Sequence, residues 1–197
     1  MTKVLVTILF FGLTFSACRK SDSSSSGGYD ILSSDQKNEA AKIVESANED
    51  LKKVRSIYKA NQNRVDQELI PAITGKDIVK AKEIANDLVN QINDGLGSAD
   101  DAVKKIKEAE DMDINSTYKE YLKLKREALE KQIEAFYLRH KVAKVLRDSL
   151  GSNDAAKINQ AQKEFQEKEV QFRDLIEKGT ALSEEANQIF KDSLKQK

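Results

Sequence analysis

One histidine, one cysteine and no tryptophan leave this 197-residue chain few side chains for chemistry. His140 would have to serve any Ser-His-Asp set, and nothing else in the chain points to one. A di-iron bundle needs two Glu-x-x-His pairs, whereas position 137 is Tyr, so the lone histidine lacks even one. No C-x-x-C-H run marks haem attachment. Gly95-Leu96-Gly97 falls inside a helical pattern, without the strand that a phosphate-cradling loop requires. Serines and threonines gather in residues 19–30 and near helix ends, where capping is their ordinary role. Carboxylates are many, but lysines accompany them and they read as solvated surface. These residues predict a non-catalytic protein with no catalytic set, no metal site and no cofactor.

Three polar residues interrupt otherwise apolar seams: Asn61, His140 and Lys168. Counting outward from tight turns between antiparallel helices puts Asn61 beside Val89, Val89 opposite His140, and His140 near Glu164, one turn from Lys168. The three therefore fall at one height, with Phe136 and Phe165 close by. They read as a possible polar core layer that sets helix register, with Lys168 snorkelling outward. The other reading is a small anionic-ligand site lined by His140 and Lys168. Gly95 also stands on a seam, where glycine costs up to ~1 kcal/mol against alanine. An aromatic from a facing helix, Phe136 or Tyr137, is expected to fill that space; the alternative is a hinge assisted by Gly97.

The elements that position these residues are long helices. Charged residues make up 34% of the chain and aromatics 6%, with a single Pro. Straight-chain residues lose little rotamer freedom in a helix, so this balance favours helix over sheet. Apolar residues recur at steps of three and four from about residue 33, as bundle or coiled-coil seams require. Ile78, Ala81, Ala85, Leu88, Ile92, Gly95, Ala99, Ala102, Ile106 and Ala109 show the rhythm without a fault. The last helix runs Phe165, Lys168, Phe172, Leu175, Gly179, Leu182 and Ala186, while Leu122, Leu129, Phe136, Ala143 and Leu150 recur every seven residues. Breaks at 73–77, 113–116 and 151–153 carry residues that stop or cap helices. The helices are predicted at 34–73, 77–112, 117–150 and 154–195. Pro71 should bend or fray the first, and Thr117 with Glu120 fits a capping box for the third. Short loops make neighbours antiparallel. The fold class is all-α, an up-down-up-down four-helix bundle about 50 Å long. Two hairpins pairing between chains are the alternative. Opposite charges four apart, such as Glu49 with Lys53, Asp100 with Lys104, Asp101 with Lys105 and Glu127 with Lys131, cover the surface.

The first eighteen residues carry an address. Lys3 precedes an uncharged apolar run from Val4 to Phe15, and small Ser16 and Ala17 precede Cys18. That run is too short to cross a membrane as a helix and reads as a signal peptide over residues 1–17. Phe15-Ser16-Ala17-Cys18 resembles the bacterial lipobox, although that pattern prefers Leu, Val or Ile where this chain has Phe15. The resemblance implies a lipoprotein precursor, cleaved before Cys18 and acylated there with palmitate-type chains. It covers about a tenth of the chain. Residues 18–32 then form a Ser/Gly-rich tether, and 33–197 the helical domain. Arg19 stands where the sorting rule of such lipoproteins reads Asp as a signal for inner-membrane retention. The resemblance thus implies an extracytoplasmic, membrane-anchored protein, in the outer membrane where the cell has one.

Basic and acidic residues number 33 each, and Lys3 is the only charge in residues 1–17. A chain this balanced has no footprint for nucleic acid. The reading is a cell-envelope protein held to the membrane by its lipid, with a protein partner, acting as scaffold, spacer or interaction module. The alternative is an extracytoplasmic small-ligand-binding or sensory bundle.

Overall fold

The computed structural model describes residues 31–152 and 154–195, with side chains over 36–152 and 154–192. Cys18, the segment 1–17 and the tether up to residue 30 lie outside the described residues.

Over the described residues the protein is an all-α bundle of four long helices. Helix α1 spans Ile31–Arg64 and continues through a π-helical turn, Val65–Leu69, into the short α2, Ile70–Thr74. Then follow α3, Ile78–Asp111, α4, Ser116–Leu150, and α5, Ala155–Lys195. Within each adjacent pair, partners descend on one helix as they rise on the other. Asp50 meets Lys105 and Arg64 meets Asp87; Glu110 meets Arg126 and Asn86 meets Arg147; Lys125 meets Ser183 and Arg139 meets Glu169. These pairs are antiparallel. The backbones approach closely between chain neighbours, while α1 and α5 are bridged mainly by long side chains, such as Tyr58 against Phe172.

The π turn is written in the seam. Buried positions on α1 alternate steps of three and four until Asn61, Val65 and Leu69, which are two steps of four in succession. One extra residue has entered the repeat, and a wider turn absorbs it: the Ile70 N–H reaches the Val65 carbonyl, five residues back. Pro71 supplies the cause, because its ring clashes with the carbonyl four residues earlier and it has no N–H to offer. The helix therefore widens ahead of the proline and ends at Thr74, instead of fraying.

The turns are built by local hydrogen bonds. After α2, Asp77 N donates to Ala72 O at 2.9 Å and Lys76 N to Ile73 O at 3.1 Å, a Schellman closure. The left-handed residue in it is Lys76, at φ 58°, while the neighbouring Gly75 is right-handed. Asp77 caps α3 by accepting from Lys80 N. Asn115 caps α4 by accepting from Tyr118 N at 2.8 Å. The expected Thr117–Glu120 capping box is therefore not formed; Asn115 starts the helix two residues sooner. Asp154 caps α5 through Ala156 N and Lys157 N.

Pairs four apart do form, as between Arg126 and Glu130, but several of the charges expected to pair that way choose other partners. Lys52 reaches Glu49, Lys104 reaches Asp101 and Lys131 reaches Glu134, all three residues apart. Lys105 crosses to Asp50 on α1.

Candidate functional site

The apolar core is divided in two. One cluster runs from Ala40 to Tyr58 on α1, with Ile92–Ala109, Tyr118–Phe136 and Phe172–Ala186 packed around it. The other gathers Val65, Leu69, Ala81–Val89, Val142–Leu150, Ala161 and Phe165. Between them lies a polar level. Arg139, with a fully buried side chain, donates from Nε to Glu169 Oε1 at 2.7 Å and from Nη2 to Glu169 Oε2. Nη2 also donates to Gln62 Oε1 at 2.9 Å, tying α1 to α4 and α5. The guanidinium carbon sits 3.4 Å from the centre of the Phe172 ring, which stacks on Tyr58. Burial, more than the nearby charges, pushes the Tyr58 hydroxyl up to about 12. From this level Gln62 leads outward to Asp66, which faces Arg173.

Asn61 is in this level, fully buried, and its Nδ2 donates to Gln91 Oε1 at 3.0 Å and to Ile57 O. His140 and Lys168 are not. Half-buried Lys168 donates to Gln171 on its own helix. Among the described residues His140 Nε2 has no hydrogen-bond partner. Burial first, then Lys144 and Arg147, hold the His140 imidazole below its usual pKa. No hydrogen bond among the described residues joins Asn61, His140 and Lys168 to one another. The places expected for His140 and Lys168 are held by their chain neighbours Arg139 and Glu169.

The displacement has one cause on both helices. On α5 the heptad Phe165, Phe172, Gly179 and Ala186 is buried as expected, but its companions are Glu169 and Ile176, with Ser183 half-buried. Lys168, Leu175 and Leu182 flank the core instead. On α4 the buried companions of Leu122, Leu129, Phe136 and Ala143 include Lys125, Gln132, Arg139 and Leu146. His140 sits with Arg126 and Arg147 on the flank toward α3. Both helices thus turn their more polar flank into the α4/α5 seam. A heptad of polar residues, 125, 132 and 139, was visible beside the apolar one and carried the signal.

The seam has three polar levels. At one end stands the Arg139–Glu169 pair. In the middle, a Cβ built on Gly179 would come 2.8 Å from the Ala128 carbonyl and 3.2 Å from Gln132 Cγ, so only glycine lets α5 approach here. At the other end Lys125, 6% exposed, donates to Ser183 Oγ at 2.7 Å and Ser183 O at 3.1 Å, with its Nζ 5.6 Å from the Tyr121 ring centre. Burial, with the charge of Arg55 second, pushes the Lys125 ammonium down to about 8.

Gly95 faces α1. A Cβ there would lie 3.3 Å from Ile57, so an aliphatic side chain fills the space. Phe136 packs instead against Tyr58 and Phe172, and Tyr137 is half exposed.

Outside the bundle, an open groove of about 490 Å³ lies between α4 and α5, lined by Tyr137, Leu138, Lys141 and Leu175 among others. Among the described residues no group of His, Cys, Asp and Glu is arranged to hold a metal, and no helix is long and apolar enough to cross a membrane. Comparison of the chain with known protein families, with characterised proteins and with solved structures finds no match.

Proposed function

We propose that this is a lipid-anchored, non-catalytic protein of the cell envelope whose bundle scaffolds, spaces or contacts other proteins. The observation that carries the reading is the lipobox-like Phe15-Ser16-Ala17-Cys18 placed ahead of a slender bundle with a packed core. The geometry supports a spacer. Gln36, near the start of α1, accepts from Asp113 N in the α3/α4 turn, and Tyr121 near the start of α4 packs on Phe190 near the end of α5. The start of α1 therefore lies at that end. The turns at 75–77 and 151–154 stand at the other, about 65 Å away along α1 and α2. An anchor at Cys18 would hold the first end to the membrane and present the second to a partner. The groove beside Tyr137 offers a lateral contact.

Stable anchoring needs more than one acyl chain, as lipoproteins carry. Cys18→Ala should release the chain from the membrane fraction or block its processing. Crosslinking in the native envelope through the turn at 151–154 should capture a protein partner. Retention of a normally processed Cys18→Ala variant in membranes overturns the anchor.

A further inference from the structure

The outward face of α4 carries its charges in order. Glu130 and Glu134 precede Tyr137 on it, Lys141 and Lys144 follow, and all four are exposed. Glu130 and Lys144 stand one heptad to either side of Tyr137, while Glu134 and Lys141 flank Tyr137 and Leu138 symmetrically. The two glutamates take Arg126 and Lys131 from their own helix, yet both carboxylates stay about half exposed. Exposed pairs of this kind contribute little. Lys141 and Lys144 meet no carboxylate among the described residues.

The apolar part of the same face is the groove between α4 and α5, about 490 Å³ in volume. Tyr137, Leu138 and Leu175 line it beside Glu134, Lys141 and Asp174. Tyr137 is 50% exposed, and Val145, one heptad beyond Leu138, is exposed as well. The two walls keep the register in which Arg139 faces Glu169 and Lys125 faces Ser183, so Glu134 and Asp174 stand at one level. Two acids thus share that level, with Lys141 two turns along α4.

An occupant of this face must bring an apolar side chain to the groove, bases to the acidic level and acids to the basic one. α4 itself carries that order when it is reversed. Laid antiparallel about a two-fold axis at Tyr137 and Leu138, the partner's Lys141 meets Glu134 and Asp174, and the partner's Lys144 meets Glu130. Each contact then occurs twice, as an isologous interface requires. In the parallel sense glutamate would meet glutamate and lysine would meet lysine, and such like-charge contacts exclude a wrong arrangement.

We propose that the α4 face around Tyr137 binds a second copy of this chain, as an antiparallel two-fold dimer. The pairing does not depend on how the chain is anchored. It turns the two starts of α1 in opposite directions, so that two anchored copies would space facing membranes.

The test is sedimentation equilibrium of the full chain in detergent, with carbodiimide crosslinking of a mixture of ordinary and nitrogen-isotope-labelled chains. The parent chain should dimerise, and a peptide bearing Glu134 should be joined to one bearing Lys141 with a different isotope in each. Glu134→Lys or Lys141→Glu alone sets like charges across the axis and should weaken the dimer at least about tenfold. Glu134→Lys combined with Lys141→Glu reverses the pattern and should recover dimerisation, which no loss of folding could do. A parent chain that stays monomeric overturns the pairing and leaves the groove to another occupant. A dimer indifferent to the single reversals overturns it too, as does a double variant no tighter than the singles.

Discussion

The two ends of the α4/α5 seam pose the same physical problem and answer it differently. Arg139 and Lys125 are both buried basic residues on one flank of α4, two heptads apart. Arg139 meets Glu169 bidentately, donates to Gln62 and sits over the Phe172 ring. Lys125 meets Ser183, with Tyr121 at a longer distance. The first arrangement closes on a charge pair linking three helices, with Arg139 Nη1 alone of its guanidinium nitrogens lacking a hydrogen-bond partner among the described residues. Among the described residues the second is a cation whose hydrogen bonds go to a hydroxyl and a carbonyl. The contrast teaches that heptad position decides burial, while the residue facing it on α5 decides whether burial is compensated.

Breaking the closed end should have the largest effect. Glu169→Ala strands the Arg139 guanidinium in the core, so denaturant unfolding should show a loss of ~3–5 kcal/mol. Replacing both Arg139 and Glu169 by Leu should recover most of that loss, because no charge is then left unpaired. Equal losses in the single and double variants would mean that the pair is not the unit of stability.

The open end predicts a pH signature. The Lys125 ammonium titrates near 8 in the folded chain against an ordinary 10.5, so between those values the unfolded chain holds a proton that the folded chain has released. Stability must then rise with pH from about 8, by up to ~2–3 kcal/mol, as the buried charge is shed. Tyr58 and Tyr118, pushed up to about 12 by burial, act oppositely above pH 10, where the unfolded chain gives up protons first. Unfolding measured across pH 7–11 should therefore show a maximum near 10. In Lys125→Met the rise should vanish; a rise of the same size there would remove Lys125 as its source.

Between the two ends, Gly179 sets the spacing of the seam. Gly179→Ala puts a methyl 2.8 Å from a backbone carbonyl that cannot swing away, and overpacking of this kind costs ~1–3 kcal/mol. Gly97 faces open space, so Gly97→Ala should instead stabilise by up to ~1 kcal/mol through helix propensity. Melting curves shifted in opposite directions are the expected result. The smallest effect belongs to Ser183→Ala, which removes one neutral acceptor from Lys125 and leaves the carbonyl; about 1 kcal/mol is expected. A loss approaching that of Glu169→Ala would erase the contrast between the ends.

Long helices, their turns and the buried heptads were legible in the sequence, because 3-4 spacing and caps are local properties of a helix. Even the π turn left a trace, in the paired steps of four through Asn61, Val65 and Leu69. Other local details were decided by geometry that composition does not show: Lys76 instead of Gly75 takes the left-handed position, and Asn115 instead of Thr117 caps α4. The height of a polar level could be counted from the turns. Its occupants could not. Neighbouring residues on a helix differ by about 100° in direction, and Phe165, Phe172 and Gly179 fit a seam whether Lys168 or Glu169 completes it. Apolar counting preferred Leu175 and Leu182 and so turned α5 the wrong way. What settles the rotation is the fit of α4 and α5 to each other: Arg139 requires Glu169, and Gly179 lets α5 come close to the α4 backbone at Ala128. Those are contacts between residues far apart in the chain, and only the assembled bundle brings them together.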